Sequence, residues 1–304
     1  MTFPSRQHSS RTLRRSAVVA FFWGFLSILF WGVMFPVGKA LMESGDVAAS
    51  TVAMLRFLIA SPVLFAAGFA LHGKAMVPHG WRDWAALAAL GLVGASTMAL
   101  LLFLAQPSVS SVGASLLEAY VPVQVLLIGI VAGRGTTAKQ VAGIVLGFVG
   151  CLFVLRAIDG GGLRLESLSW GDLLIFLSGL CWSLYTYLGR PVIRRIGSFP
   201  FSAWTILFGG LWLLVYNLVS GVGLEVPSTG ANWGRVLFLA FFPTCLSFYG
   251  WNAAQKGMAL SHLAFMEYFT PLVAAIFGLL FLGEAVTAWQ WLGIAIVIVS
   301  AKLQ

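Results

Sequence analysis

One apolar stretch is written twice in this chain, and that repetition limits the folds open to it more than any single motif. Residues 103–133 recur, altered, at 252–283, and both copies read as membrane-spanning helix. Gln106, Glu118, Pro122 and Gly129 match Gln255, Glu267, Pro271 and Gly278 at an offset of 149. After a one-residue slip the register runs on at 150, where Gly133, Thr137, Gln140 and Gly143 face Gly283, Thr287, Gln290 and Gly293. A weaker match at 151 opens each half and pairs Trp31, Gly38 and Lys39 with Trp182, Gly189 and Arg190. Two related halves in a polytopic membrane chain are the sequence mark of a secondary transporter.

Lipid is the main solvent of such a chain. Of its 304 residues 60% are apolar and 9% charged, and the mean hydropathy is +0.94. Spans of ~20 residues fit ten times, at 18–41, 49–71, 83–106, 109–132, 138–156, 170–190, 200–221, 232–256, 259–282 and 286–303. Loop charge orients them. With the N-terminus inside, thirteen lysines and arginines fall on the inner side and four (Lys39, Arg156, Arg164, Arg235) on the outer, with Arg56 left inside the membrane. The positive-inside rule then puts both termini in the cytoplasm. The net charge of +8 sits in short loops, which argues against a nucleic-acid partner. Residues 1–16 imitate a signal peptide, but the following run is too long and lacks a small-residue cleavage site. They read as a disordered basic tail meeting anionic headgroups.

Five spans per half have a geometric consequence: the second copy enters from the opposite face. The expected fold is therefore an all-α polytopic membrane protein of two inverted five-helix repeats around a central cavity. The divisions are a basic cytoplasmic tail at 1–16, repeats at 17–157 and 170–304, and a linker at 158–169 that holds Gly160, Gly161 and Gly162. Trp81, Trp84, Trp170, Trp233, Trp289 and Trp291 near span ends read as interfacial anchors. Cys151, Cys181 and Cys245 lie in apolar runs without pairing or metal-ligand spacing and read as small core residues.

Chemistry belongs where polarity costs most. A carboxylate at the centre of a span costs ~2.5–3.5 kcal/mol even on insertion scales. Glu118 and Glu267 stand in such positions, each four residues before a proline, Pro122 or Pro271, whose missing N–H leaves the glutamate carbonyl without its helical partner. Each repeat thus makes an acceptor-rich notch of the sort that holds substrates and coupling ions. Hydrocarbon penalises the charged form of a carboxyl group, so both glutamates read as reversible proton sites. The alternative is that each hydrogen-bonds a neighbouring helix. Arg56 is open to two readings, an ion-pair partner for these acids or an anion site. Trp31, Gln106, Tyr120, Trp182, Tyr185, Asn252, Gln255 and Tyr268 are further candidates to line an amphipathic cavity, each with packing as its plainer role. Pro36, Pro122, Pro243 and Pro271 are expected to kink their helices, as is Pro62. No nucleophile–base pair, phosphate loop or clustered metal-ligand set is visible, which speaks against an enzyme and against a metal or organic cofactor.

Trp31-Gly32 with Gly38-Lys39, Leu55-Arg56-Phe57, Pro122, Pro271, and Leu282-Gly283-Glu284 before Gln290 and Gly293 together resemble the EamA-type members of the drug/metabolite transporter superfamily. The likeness covers nearly the whole chain. It implies a ten-helix basket with a central cavity, alternating access, and export of amino acids, related metabolites or amphipathic compounds from bacteria, across the inner membrane. Two departures stand out: Glu284 is replaced by Arg134 in the first repeat, and Glu118 and Glu267 are not acidic throughout such families. The leading expectation is a proton-linked exporter of small amphipathic metabolites. Uniport, efflux of cationic or aromatic drugs, and a membrane scaffold or receptor are the alternatives. The partners expected are a small-molecule substrate and the bilayer, with a homodimer left open by Gly143 and Gly147 in one span and Ala274 and Gly278 in another.

Overall fold

The structure, a computed structural model, describes residues 6–118, 120–133, 135, 137–154, 158–159, 162–163, 169–258, 263, 266–267, 269–301 and 303, with most side chains from residue 18 onward. Among these it is helical apart from a two-residue antiparallel hairpin, β1 (Ile158–Asp159) with β2 (Gly162–Leu163), within the expected linker. The first half holds α1 (Arg6–Glu43), α2 (Ala49–His72), α3 (Trp81–Gly91), α4 (Met98–Ala105), α5 (Ser111–Glu118), α6 (Val121–Val131) and α7 (Ala138–Val154). The second holds α8 (Trp170–Ile196), α9 (Ser198–Ser220), α10 (Gly230–Leu239), α11 (Ser247–Gly257), α12 (Thr270–Leu282) and α13 (Ala288–Ala301). Wide π-turns at Leu92–Thr97 and Ala240–Leu246 join α3 to α4 and α10 to α11. Among the described residues six helical stretches are long and apolar enough to span a bilayer: Val18–Glu43, Ala49–Met76, Trp81–Ser108, Trp170–Ile196, Ser198–Ser220 and Gly230–Gly257. A chain with six such spans is a multi-pass membrane protein.

Four expectations change. The first helix begins at Arg6, so residues 6–16 are helical rather than a disordered tail. From Ser5 to Trp23 there is neither glycine nor proline, and a helix already nucleated by the apolar span extends at one hydrogen bond per residue. The helix expected to stop at Arg190 runs through Pro191 to Ile196, ending where Gly197 takes φ 99°. The span expected at 109–132 is two helices, α5 and α6, with the Tyr120 N–H donating to the Leu117 carbonyl at 3.2 Å across the break. Pro122 and Pro271 stand in the first turn of α6 and α12, where no helical N–H is required of them. They restart a helix rather than kink one. Pro36 and Pro62, by contrast, lie inside helices that continue past them, and Pro243 sits in a π-turn.

Helices with matched places in the two halves make matched contacts. α2 packs on α9 and α7 on α13, while α1 packs on α11 and α12, and α8 on α4, α5 and α6. Gly32 shows why α1 and α12 can meet: a Cβ there would lie 2.5 Å from Val273 Cβ and 3.0 Å from the Thr270 carbonyl. At the counterpart of Gly32, Ser183 meets the counterparts of Thr270 and Val273, with its hydroxyl 3.4 Å from the Val121 carbonyl and 2.9 Å from Gln124 Oε1. Gly94, in the first π-turn, is bare for the same reason, since a Cβ would fall 2.3 Å from the Tyr185 ring. The core that results is continuous, from Ile28 and Phe35 in α1 through Phe57 and Phe103 to Phe201 and Phe248.

Candidate functional site

Where α5 ends and α6 and α12 begin, a narrow cavity of about 40 Å³ opens inside the bundle. It has room for on the order of three waters. Its lining comes from eight helices and one flanking residue: Trp31 and Met34 on α1, Arg56 on α2, Met98 on α4, Glu118 at the end of α5, Val121 on α6, Trp182 on α8, Phe248 on α11, Thr270 at the start of α12, and Glu267 just before it. Both glutamates expected at the notches therefore face one space. They are near enough to feel one another's charge, and Glu118 also interacts electrostatically with Arg56.

Each ionisable group is held by a neighbour. Trp182 Nε1 donates to Glu267 Oε1 at 3.1 Å, and Ser178, four residues earlier on α8, lies with its hydroxyl 3.3 Å from Glu118 Oε1. Arg56 is 1% exposed, so its guanidinium has to find partners inside the protein. Its Nε donates to Thr244 Oγ1 at 2.9 Å, its NH1 lies 3.2 Å from Met34 Sδ, and its Cζ stands 4.9 Å from the Phe57 ring centroid. The second π-turn supplies two of the acceptors. Thr244 turns its own hydroxyl proton to the Leu239 carbonyl, five residues back, leaving its oxygen for Arg56. The Pro243 carbonyl, one residue before, accepts from Trp31 Nε1 at 3.0 Å. A wide turn beside a site is a recurring device, because it releases backbone acceptors that a regular helix would use itself.

Aromatic rings make the walls. Trp31 meets Trp182 edge to face at 5.1 Å, Trp182 stacks on Tyr185 at 5.1 Å, and Phe248 stands 5.4 Å from Trp182. Behind Trp182 runs a buried polar chain. Gln255 Nε2 donates to Asn252 Oδ1 at 3.2 Å, and Asn252 Nδ2 donates to Ser202 Oγ at 2.8 Å and to the Tyr185 hydroxyl at 3.2 Å. The Thr205 hydroxyl donates to the Phe201 carbonyl, so Tyr185 gives its proton to Thr205 Oγ1.

The candidates thus divide. Trp31, Arg56, Glu118, Trp182 and Glu267 share the cavity; Tyr185, Asn252 and Gln255 form the chain behind it. Gln106 is buried against α1, its amide within 3 Å of where a Cβ on Gly38 would be, away from the cavity lining. Tyr120 packs among Val123, Val297 and Ile144 on the side of α7 and α13. Tyr268, and Arg134 with it, falls outside the described residues. Sequence reasoning passed over Met34, Met98, Thr244, Thr270 and Ser178. Thr270 and Ser178 carried a legible signal, one beside Pro271 and the other a helical turn before Trp182; Met98 and Met34 are ordinary span residues.

Residues 18–156 and 169–303 each match the EamA-like transporter family. The chain belongs to that family. Its members are transporters and not enzymes, and so is this protein. Among relatives, an uncharacterized transporter of Archaeoglobus fulgidus is 29% identical over 261 residues, 85% of this chain and 88% of that one. A probable terminal-alkyne amino-acid exporter of Streptantibioticus cattleyicolor is 25% identical over 260 residues, 85% of this chain and 84% of the exporter. A solved crystal structure shares the fold with a TM-score of 0.69 at 20% identity, covering 93% of this chain and 95% of that chain.

Proposed function

We propose that this EamA-family transporter exports small zwitterionic metabolites, amino acids or their derivatives, by alternating access, with Glu118 and Glu267 binding the substrate ammonium group or a coupling proton in turn. The observation that carries this is the placing of one guanidinium and two carboxyl groups in a single narrow cavity. An α-amino acid presents the complementary pair of charges a bond or two apart. Arg56 suits its carboxylate, since a guanidinium binds carboxylates in a planar, two-bonded way. The rings of Trp31 and Trp182 suit an apolar or aromatic side chain, and their faces a cation. The amino-acid exporter among the relatives agrees with this substrate class.

Ten spans in two inverted five-helix repeats are part of the same reading. Matched contacts at Gly32 and Ser183, and the two π-turns at matched places, support it. So does the charge asymmetry of the loops, which also orients both termini to the cytoplasm of a bacterial inner membrane. With room for on the order of three waters, the cavity has to widen to admit an amino acid with a bulky side chain. Efflux of flat cations is the second reading, favoured by the same rings and carboxyl groups and opposed by Arg56.

Proteoliposomes loaded with pooled amino acids, polyamines and nucleosides decide between them when efflux under an imposed pH gradient is followed by mass spectrometry. Gradient-dependent loss of an amino acid, absent in Glu118→Gln and Glu267→Gln, is the expected result. Loss that ignores the gradient makes the protein a uniporter, and loss of polyamines alone favours the cation reading. Equal loss from wild type and variants removes the glutamates from the mechanism.

A further inference from the structure

Away from the cavity, Lys39 near the end of α1 and Glu284 in the turn between α12 and α13 form an ion pair at 2.7 Å, with side chains only 14% and 15% exposed. The turn fixes the carboxylate. Gly283 takes φ 67°, its N–H donates to the Leu279 carbonyl and the Glu284 N–H to the Gly278 carbonyl, which closes α12 and directs residue 284 back over the helix end. There Glu284 also accepts from the Ser111 N–H, at 2.9 Å to Oε2 and 3.3 Å to Oε1. Ser111 is the first residue of α5, and a carboxylate at a helix N-terminus is favoured by both the open N–H groups and the helix dipole. One carboxylate therefore joins α1, α5 and the α12–α13 turn.

α5 is the short helix whose other end is Glu118. Its eight residues rise ~12 Å as a single rod. Whatever displaces Glu118 in the cavity displaces Ser111 beneath the ion pair. Lys39 has a second partner in waiting: Glu43, one turn further along α1, is half exposed and 3.8 Å from its ammonium group. The contact can break without stranding the lysine. In the sequence register of the other half Lys39 becomes Arg190 and Glu284 becomes Arg134, two cations, which cannot form an ion pair with one another.

We propose that Lys39, Glu284 and the Ser111 N–H are a latch that closes the path on the face carrying the C-terminal end of α1, and that movement of α5 on loading at Glu118 releases it. This rests on the alternating-access reading. The latch biases the empty carrier toward opening on the opposite face.

Accessibility of the cavity from each side tests it. A single cysteine, Thr270→Cys, is placed in full-length protein with Cys151, Cys181 and Cys245 changed to alanine, and a membrane-impermeant thiol reagent is applied from either face of sealed vesicles. Lys39→Met and Glu284→Gln should each raise labelling from the latch face roughly tenfold and lower it from the other, a two-state shift within the usual range of coupling. Glu284→Ala, which also removes the acceptor for Ser111, should shift it further than Glu284→Gln. If Glu118→Gln moves the balance while Lys39→Met and Glu284→Gln do not, the latch is overturned and alternating access stands. If no variant, Glu118→Gln included, shows reciprocal change, the alternating-access reading fails and the latch with it. Equal gains from both faces mean a loosened fold and also overturn the latch.

Discussion

Glu118 and Glu267 hold matched places in sequence but unequal surroundings. Glu267 is 7% exposed and tied to Trp182, whereas Glu118 is less buried and interacts with both Ser178 and the guanidinium of Arg56. Removing the charge at 118 leaves a buried arginine with less compensation, and removing it at 267 relieves a neighbouring like charge. A double-mutant cycle on thermal unfolding in detergent should give Glu118 and Arg56 a favourable coupling of about 1 kcal/mol, read from Glu118→Gln, Arg56→Met and the pair. The cycle for Glu118 and Glu267 should have the opposite sign. Zero coupling between Glu118 and Arg56 would mean that they share a cavity without mattering to each other. Trp31, Arg56, Glu118, Trp182 and Glu267 were visible in the sequence because charge and indole N–H are expensive in an apolar span. Thr244 and Met34 were not, since nothing in a threonine or methionine inside a span says which helix it will face.

At the scale of elements, the prolines and the wide turns decide what the side chains can reach. The sequence places a break near each glutamate, and the break is there, but Pro122 and Pro271 initiate α6 and α12 instead of bending longer helices. Proline is as compatible with the first turn of a helix as with a kink, and spacing alone does not separate the two. Of the two π-turns, Ala240–Leu246 was signalled by Pro243, but Leu92–Thr97 had no signal at all: it contains no proline, and its extra residue is taken up in a segment of ordinary apolar and small residues. Thr244 is the residue through which the second π-turn reaches the site. Thr244→Val keeps the shape and removes the acceptor for Arg56 Nε, which should cost about 1.5–3 kcal/mol of stability, the usual cost of a lost hydrogen bond to a charged group. Thr244→Ser, which restores the oxygen, should recover most of it. If valine and serine unfold alike, the hydroxyl is not what holds the arginine.

Across the whole molecule the two halves are joined at their ends by contacts of unequal charge. Asp83 at the start of α3 binds Arg195 at the end of α8, with Arg195 Nε donating at 2.7 Å. Their sequence counterparts are Asn232 and Ser44, and Asn232 Nδ2 donates to Ser44 Oγ at 3.2 Å. One face thus carries an exposed ion pair where the other carries a neutral pair, reinforced by Asp46. That carboxylate accepts from the Ser228 N–H at 2.9 Å and from Asn232 Nδ2 at 2.7 Å, tying the α1–α2 loop to the loop before α10. Bonds from Ser228 and then Asn232 favour its charged form and hold its pKa below the ordinary 3.8. The folded value lies under the unfolded one, so the contribution is complete above the unfolded value and disappears as pH falls through the folded value. Asp46→Asn keeps an acceptor and removes the titration. Between about pH 5 and about pH 3 the wild type should therefore lose more Tm than Asp46→Asn, and the difference should persist in high salt because it comes from hydrogen bonds rather than from long-range charge. The Asp83–Arg195 end should respond the other way round: as an exposed pair it is screened by salt, so Asp83→Asn should cost less at high ionic strength than at low. If both variants respond alike to pH and to salt, the two ends are held by the same forces and their unequal charge has no part in joining the halves.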